Sequence, residues 1–146
     1  MRLSPGRTLT VRWQGDPQIC DFELARIMGD IRGGTSSTSA PNRTFVRHAA
    51  PELIKDPQFR PTTRCDTYSF AMLILECITE QMPFSNISRE AKVIHAKISK
   101  NQRPPRPDGN LHISNELWEL MNLCWSAEPG ERPPMDHVHR FFLDQA

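Results

Sequence analysis

The side chains equipped for chemistry sit mainly in one stretch near the start of the chain. Positions 19–27 read ICDFELARI, an apolar lead-in followed by two carboxylates, Asp21 and Glu23. A short carboxylate at the exit of a strand is suited to hold a divalent cation, and equally suited to accept backbone N–H groups, so residue type alone leaves both open. A second set is made of hydroxyls: Thr35, Ser36, Ser37, Thr38, Ser39 and Thr44, with Arg26, Arg43 and Arg47 nearby. On composition alone these describe a soluble, flexible linker. Cys20, Cys65, Cys77 and Cys124 are scattered without a C-x-x-C pair, which suggests neither a zinc site nor a redox dithiol, and buried thiols are expected. His137 and His139 stand two apart on a helical pattern, cannot share a face as metal ligands, and are expected at the surface.

Elements must position these groups. Leu9 to Trp13 and Gln18 to Phe22 predict a β-hairpin, with Gln14-Gly15-Asp16-Pro17 as its turn. The run GDIRGGTSSTSAPN from Gly29 to Asn42 has no apolar periodicity and predicts a long loop. Thr62 or Thr63 can cap a helix to about Glu80, where Phe70, Leu73, Ile74, Cys77 and Ile78 share one face, Met72 and Leu75 widen it, and Pro83 stops the helix. Ser88 is expected to cap a second helix to about Lys100, carrying Ala91, Val93, Ile94 and Ile98. RPPRPDG, from Arg103 to Gly109, reads as a stiff connector. Leu117, Leu120, Met121 and Cys124 predict a third helix from about Ser114. Pro133 or Pro134 opens a last one, with Met135, Val138, Phe141 and Phe142 facing inward.

Length and charge bound the rest. A chain of 146 residues makes one domain that buries roughly 70% of its unfolded surface. Eighteen basic and seventeen acidic residues nearly cancel to a formal +1, so net charge offers no case for nucleic acid or an anionic membrane. No apolar run suits a signal peptide or a membrane span, which implies a cytoplasmic setting in which the sequons at Asn42 and Asn86 carry no meaning.

Several separated motifs, in one order, resemble the C-terminal lobe of a eukaryotic protein kinase of the tyrosine-kinase or tyrosine-kinase-like group. Asp21-Phe22-Glu23-Leu24-Ala25-Arg26 is similar to the D-F-G-L-A-R that opens an activation segment, and Ala50-Pro51-Glu52-Leu53 to the A-P-E that closes it. Asp66-Thr67-Tyr68-Ser69-Phe70-Ala71, followed by Glu76 and Pro83-Phe84, looks like the D-V-Y-S-F-G start of the family's central helix. Cys124-Trp125, Pro129 and Arg132-Pro133 match a C-W-x-x-x-P-x-x-R-P pattern. The resemblance implies an α+β, mostly α fold: residues 9–22 a hairpin, 21–52 an activation segment, and 62–146 a helical subdomain of about four helices. It implies ATP and Mg²⁺ as the family's cofactors, with Asp21 holding the metal against the phosphates. Glu52 and Arg132 are implied to form a buried ion pair, Asp66 to fix the backbone of a catalytic loop, and Trp125 to pack without chemistry. The hydroxyls at Thr35, Ser36, Ser37, Thr38, Ser39 and Thr44 become candidate phosphate acceptors, since phosphate orders such loops by pairing with arginines.

Departures from the family pattern shape the expected function. Glu23 stands where glycine lets the backbone swing, and its charge sits beside the phosphate site, where at ~5 Å and an effective dielectric of about 20 it repels another anion by roughly 3 kcal/mol. Met1 to Thr8 occupy the place of the H-R-D-x-x-x-x-N loop, and no G-x-G-x-x-G with a strand lysine occurs in these residues. Phe45, Arg47 and His48 differ from the usual G-T-x-R-W ahead of A-P-E. The expectation is a truncated lobe, inactive alone, that binds a protein partner through the Ser88–Lys100 helix and the activation segment. The rival is a fragment of an active Ser/Thr or Tyr kinase acting on protein hydroxyls. Apolar surface near Val11, Ile19 and Phe22 is expected to favour self-association.

Overall fold

The computed structural model describes residues 9–11, 17–19, 43–56, 58–109 and 113–144. They fall in two compact units, Met1–Ser39 and Ala40–Ala146. In the first, β1 (Leu9–Val11) pairs antiparallel with β2 (Pro17–Ile19), with Leu9 opposite Ile19 and Val11 opposite Pro17. Pro17 opens the second strand, where its missing N–H costs no ladder bond, and does not belong to the turn. Asp21, Glu23, Arg26, Cys20, Phe22 and the hydroxyls from Thr35 to Ser39 lie outside the described residues, as do the side chains of Val11, Ile19, Arg43 and Thr44.

The second unit is helical. α1 (Arg43–His48) and α2 (Pro51–Lys55) lie just ahead of α3 (Thr63–Thr79), which is followed by α4 (Glu90–Ser99), α5 (Asn115–Cys124) and α6 (Met135–Leu143). Among the described residues six α-helices thus stand where about four are expected. The two additions are short: α2 begins on a proline, whose fixed φ suits a first turn, while α1 has no apolar period of its own.

The core forms around α3, but not on the face its apolar spacing suggests. Cys65, Tyr68, Ala71, Met72 and Leu75 are buried, with the polar Thr67 and Glu76, whereas Phe70, Leu73, Ile74 and Ile78 are half-buried and Cys77 is exposed. Apolar residues line both sides of this helix, so hydrophobicity could not choose between them. The buried face is instead the one that carries Glu76, 2.6 Å from His48, Thr67, bonded to Thr63 O, and the Tyr68 ring beside Lys97 and Arg132, although the Tyr68 hydroxyl has no partner among the described residues. α3 ends because Glu80 adopts a left-handed backbone, with φ of 55°, three residues before Pro83.

Ser88 does not cap α4. Arg89 holds that position without a side-chain bond, and the helix starts at Glu90. Ser114 does cap α5, its hydroxyl accepting the Leu117 N–H at 3.1 Å. On α6 only Val138 is buried and Phe141 half-buried. Met135 and Phe142 are each 37% exposed, which corrects the expectation that all four face inward. Residues 103–109 form a connector without regular structure, turning at Gly109, whose φ of +65° suits a residue without Cβ.

Candidate functional site

A dense polar network among the described residues of the second unit ties residues 46–52 to the helices around them. Its first anchor is Arg47, 6% exposed. One terminal nitrogen donates to the carbonyls of Pro83 at 2.9 Å and Phe84 at 2.8 Å, the other to Ile87 at 2.8 Å, and Nε donates to the Glu90 carboxylate at 3.0 Å. Arg47 is therefore committed to the 83–90 loop and is no partner for a loop phosphate, which corrects its expected availability. The loop needs that support. Phe84 is a buried, bulky residue with φ of 57°, a left-handed conformation that costs about 1 to 2 kcal/mol for a residue with a Cβ.

Lys97, 1% exposed on α4, makes the second anchor. Its ammonium donates to Val46 O at 3.0 Å, Arg47 O at 3.2 Å and Ala49 O at 2.6 Å. The last carbonyls of a helix have no partner within it, so Lys97 caps the C-terminal end of α1 from a different helix. The three carbonyl dipoles favour its charge. Burial opposes them and is the larger effect, pulling the pKa down to about 7, with the Arg103 guanidinium acting in the same direction.

The third anchor is a bidentate ion pair 80 positions apart in sequence. Arg132, 1% exposed, donates to the two Glu52 oxygens at 2.6 and 2.9 Å, to Ser126 O at 2.9 Å and to Arg64 O at 3.1 Å. Arg64 returns a bond to the Arg132 carbonyl, and the Cys65 thiol donates to Glu52 at 3.2 Å. Burial is the largest single influence and pushes the Glu52 carboxyl up, but the bonds and charge of Arg132, a backbone N–H bond and the Cys65 thiol together outweigh it and hold the group below the usual range. Burial pushes the Cys65 thiol up.

Tyr68 lies between the last two anchors. Its fully buried ring has Lys97 Nζ and Arg132 Cζ each 5.0 Å from the centroid and Arg103 Cζ at 5.9 Å. His48 adds a further tie, 2.6 Å from the buried Glu76 carboxylate on α3. The arrangement fixes a chain segment.

The other sequence candidates are dispersed. Asp66 is exposed in the first turn of α3, where a carboxylate favours the helix dipole. Trp125 is fully buried, its ring meeting Trp118 edge-on at 5.7 Å, and its indole N–H has no partner among the described residues. Cys65 and Cys124 are buried, and burial pushes the Cys124 thiol up to about 11. His137 and His139 are exposed. Among the described residues no three His, Cys, Asp or Glu side chains gather to hold a metal, and no helix is long and apolar enough to cross a membrane.

The sequence model of the family described as protein tyrosine and serine/threonine kinase matches residues 7–142. The chain belongs to this kinase family. Its α-rich described part agrees with the C-terminal lobe of a kinase domain. It is 28% identical over 145 residues to a mitogen-activated protein kinase kinase kinase 7-like protein of Drosophila melanogaster, covering 98% of this chain and 35% of that one. It is 30% identical over 112 residues to human receptor-interacting serine/threonine-protein kinase 1, covering 74% of this chain and 16% of that one. The chain thus spans about a third or less of the length of these kinase relatives.

Sequence reading did not find Lys97 or the inward role of Arg47. For Lys97 a signal was present: it stands four residues after Val93, on the buried side of α4, where a lysine must have partners. Arg47 gave none, because all but one of its acceptors, the Glu90 carboxylate, are backbone carbonyls, which every residue carries.

Proposed function

We propose that this chain is the protein-docking lobe of a kinase domain and transfers no phosphate by itself. The anchoring of residues 46–52 supports the reading. Two buried cations and a buried ion pair hold the stretch that, in the family pattern, closes the activation segment, and the same cation that caps α1 seats α4. A pre-formed surface lowers the cost of ordering on binding. In this reading residues 21–52 are the activation segment, 62–146 the helical subdomain, and Glu52, Arg132, Asp66 and Trp125 are structural. Thr35, Ser36, Ser37, Thr38, Ser39 and Thr44 are its phosphate acceptors, and the setting is the cytoplasm.

A second reading rests on Asp21, which keeps the first letter of the D-F-G motif. In it the chain is part of an active Ser/Thr or Tyr kinase, and Asp21 holds the Mg²⁺ that positions ATP phosphates. A thermal-shift titration with ATP and Mg²⁺, run beside a Glu23→Gly variant, separates the two. Ligand that binds the folded state raises its stability by RT ln(1 + [L]/Kd). No shift in either form is expected; a clear shift in the wild type would move the assignment to the enzyme reading.

A further inference from the structure

The near-zero net charge hides a segregation. Positions 89–106 hold six cationic side chains against one carboxylate, Glu90, which is already bonded to Arg47. Positions 113–144 hold six carboxylates against Arg132 and Arg140, the first paired with Glu52 and the second with Asp136. Within the basic stretch Lys97 is buried and Arg103 is half-buried over Tyr68. The other four, Arg89, Lys92, Lys100 and Arg106, are exposed, with His95 on the same helix. Arg106 is fixed by bonds to Asn115 Oδ1 at 2.9 Å and Ile113 O at 3.0 Å.

Apolar surface lies beside these charges. Ala91 is exposed and Ile94 and Ile98 are half-buried, at the i, i+3, i+7 spacing that lines one side of a helix. Lys92 lies on the exposed side of α4 away from this strip and Lys100 just past the helix end. An apolar strip with cations to one side complements a partner segment with apolar side chains along one edge and carboxylates along the other. Single-stranded nucleic acid is matched instead by aromatic platforms, and positions 89–106 contain no Phe, Tyr or Trp. The base is rigid, because Lys97 fixes the inner side of α4 to three carbonyls.

We propose that the outer face of α4 and the turn after it dock an acidic segment of a partner protein. The Ala91, Ile94 and Ile98 strip takes its apolar side chains, and Lys92 and Lys100 pair with its carboxylates. This rests on the docking reading above and names the chemistry of the partner.

The test is fluorescence anisotropy on the full chain with a labelled peptide of glutamates around a leucine pair, beside its glutamine counterpart. Titrations run at roughly 0.1 M and roughly 1 M salt, between which the screening length falls from ~10 to ~3 Å. The glutamate peptide is expected to bind about tenfold more weakly at high salt, and about tenfold more weakly to a Lys92→Glu, Lys100→Glu double variant. An Arg140→Glu variant on α6 should bind it as the wild type does. Both lysines are exposed, so an unchanged melting temperature checks that the double variant is folded. Equal binding of the two peptides, undiminished binding by the double variant, or no binding by the wild type overturns the proposal. So does full competition by homopolymeric RNA, or a concentration-dependent dimer that the double variant abolishes, which would make nucleic acid or a second copy the occupant. Failure of the docking reading itself would show separately, as a nucleotide-dependent thermal shift of the wild type.

Discussion

The two ends of the stretch from Val46 to Glu52 are held by opposite strategies. At the start, cations from Arg47 and Lys97 grip backbone carbonyls, with one carboxylate, Glu90, taking part. At the end, a buried guanidinium meets a carboxylate on two oxygens. The first needs no particular residue at the acceptor positions, because a carbonyl is always there. The second needs both partners, and losing either leaves a charge in a poorly solvated place. The ion pair should therefore be the more brittle anchor and the carbonyl grip the more forgiving one.

The sharpest way to break this contrast is at the ion pair. Arg132→Met should cost about 3 to 5 kcal/mol in urea unfolding, since it strands Glu52, whereas a Glu52→Leu, Arg132→Met double variant should recover much of that loss. A double variant no more stable than the single one would show that the guanidinium's bonds to Ser126 and Arg64, and not the charge pair, hold this end. Lys97→Met should cost less, about 2 kcal/mol, because it leaves unpaired dipoles and not an unpaired charge. A larger loss than that of Arg132→Met would reverse the ranking of the anchors.

Proton linkage separates the two ends by pH window. Glu52 is held below its ordinary 4.5, so its contribution is complete above that value and is lost as pH falls through the folded pKa; Glu52→Gln should flatten this acid limb of stability against pH. Lys97 is pulled from 10.5 to about 7, so between those values the unfolded chain holds a proton that the folded chain has released. Stability should rise with pH across that window in the wild type and not in Lys97→Met. A flat wild-type profile there would mean that the three carbonyls keep the ammonium charged. The smallest effect lies away from both anchors: Ser114→Ala should cost about 1 kcal/mol through the lost cap of α5, measurable as a shift in urea midpoint.

The same contrast explains what could be seen in the sequence. The family pattern drew attention to Glu52 and Arg132 because side chains that need each other leave letters at both positions. The start of α5 near Ser114 and its core face were legible from the spacing of Leu117, Leu120, Met121 and Cys124, where local chemistry and burial agree. The buried face of α3 was not, because apolar residues surround that helix and the groups that mark its inner face, Tyr68, Thr67 and Glu76, are polar. α1 was hidden for a related reason: a six-residue helix without apolar period is held by Lys97, 49 to 54 positions downstream of it. A start at Ser88 for α4 was the wrong reading, since a hydroxyl near a helix start caps it only when the backbone geometry brings it to the free N–H groups.

The burial of Arg47, Lys97 and Arg132 also determines how a protease meets this lobe. Trypsin recognises basic side chains, but these three are closed inside the folded chain, two of them gripping backbone and the third a carboxylate. Lys100, exposed where α4 gives way to an irregular loop, offers an entry instead. Cleavage there would come early in a digest, and cuts at the three buried positions would wait for the lobe to unfold, so the order of fragments records the opening of each anchor.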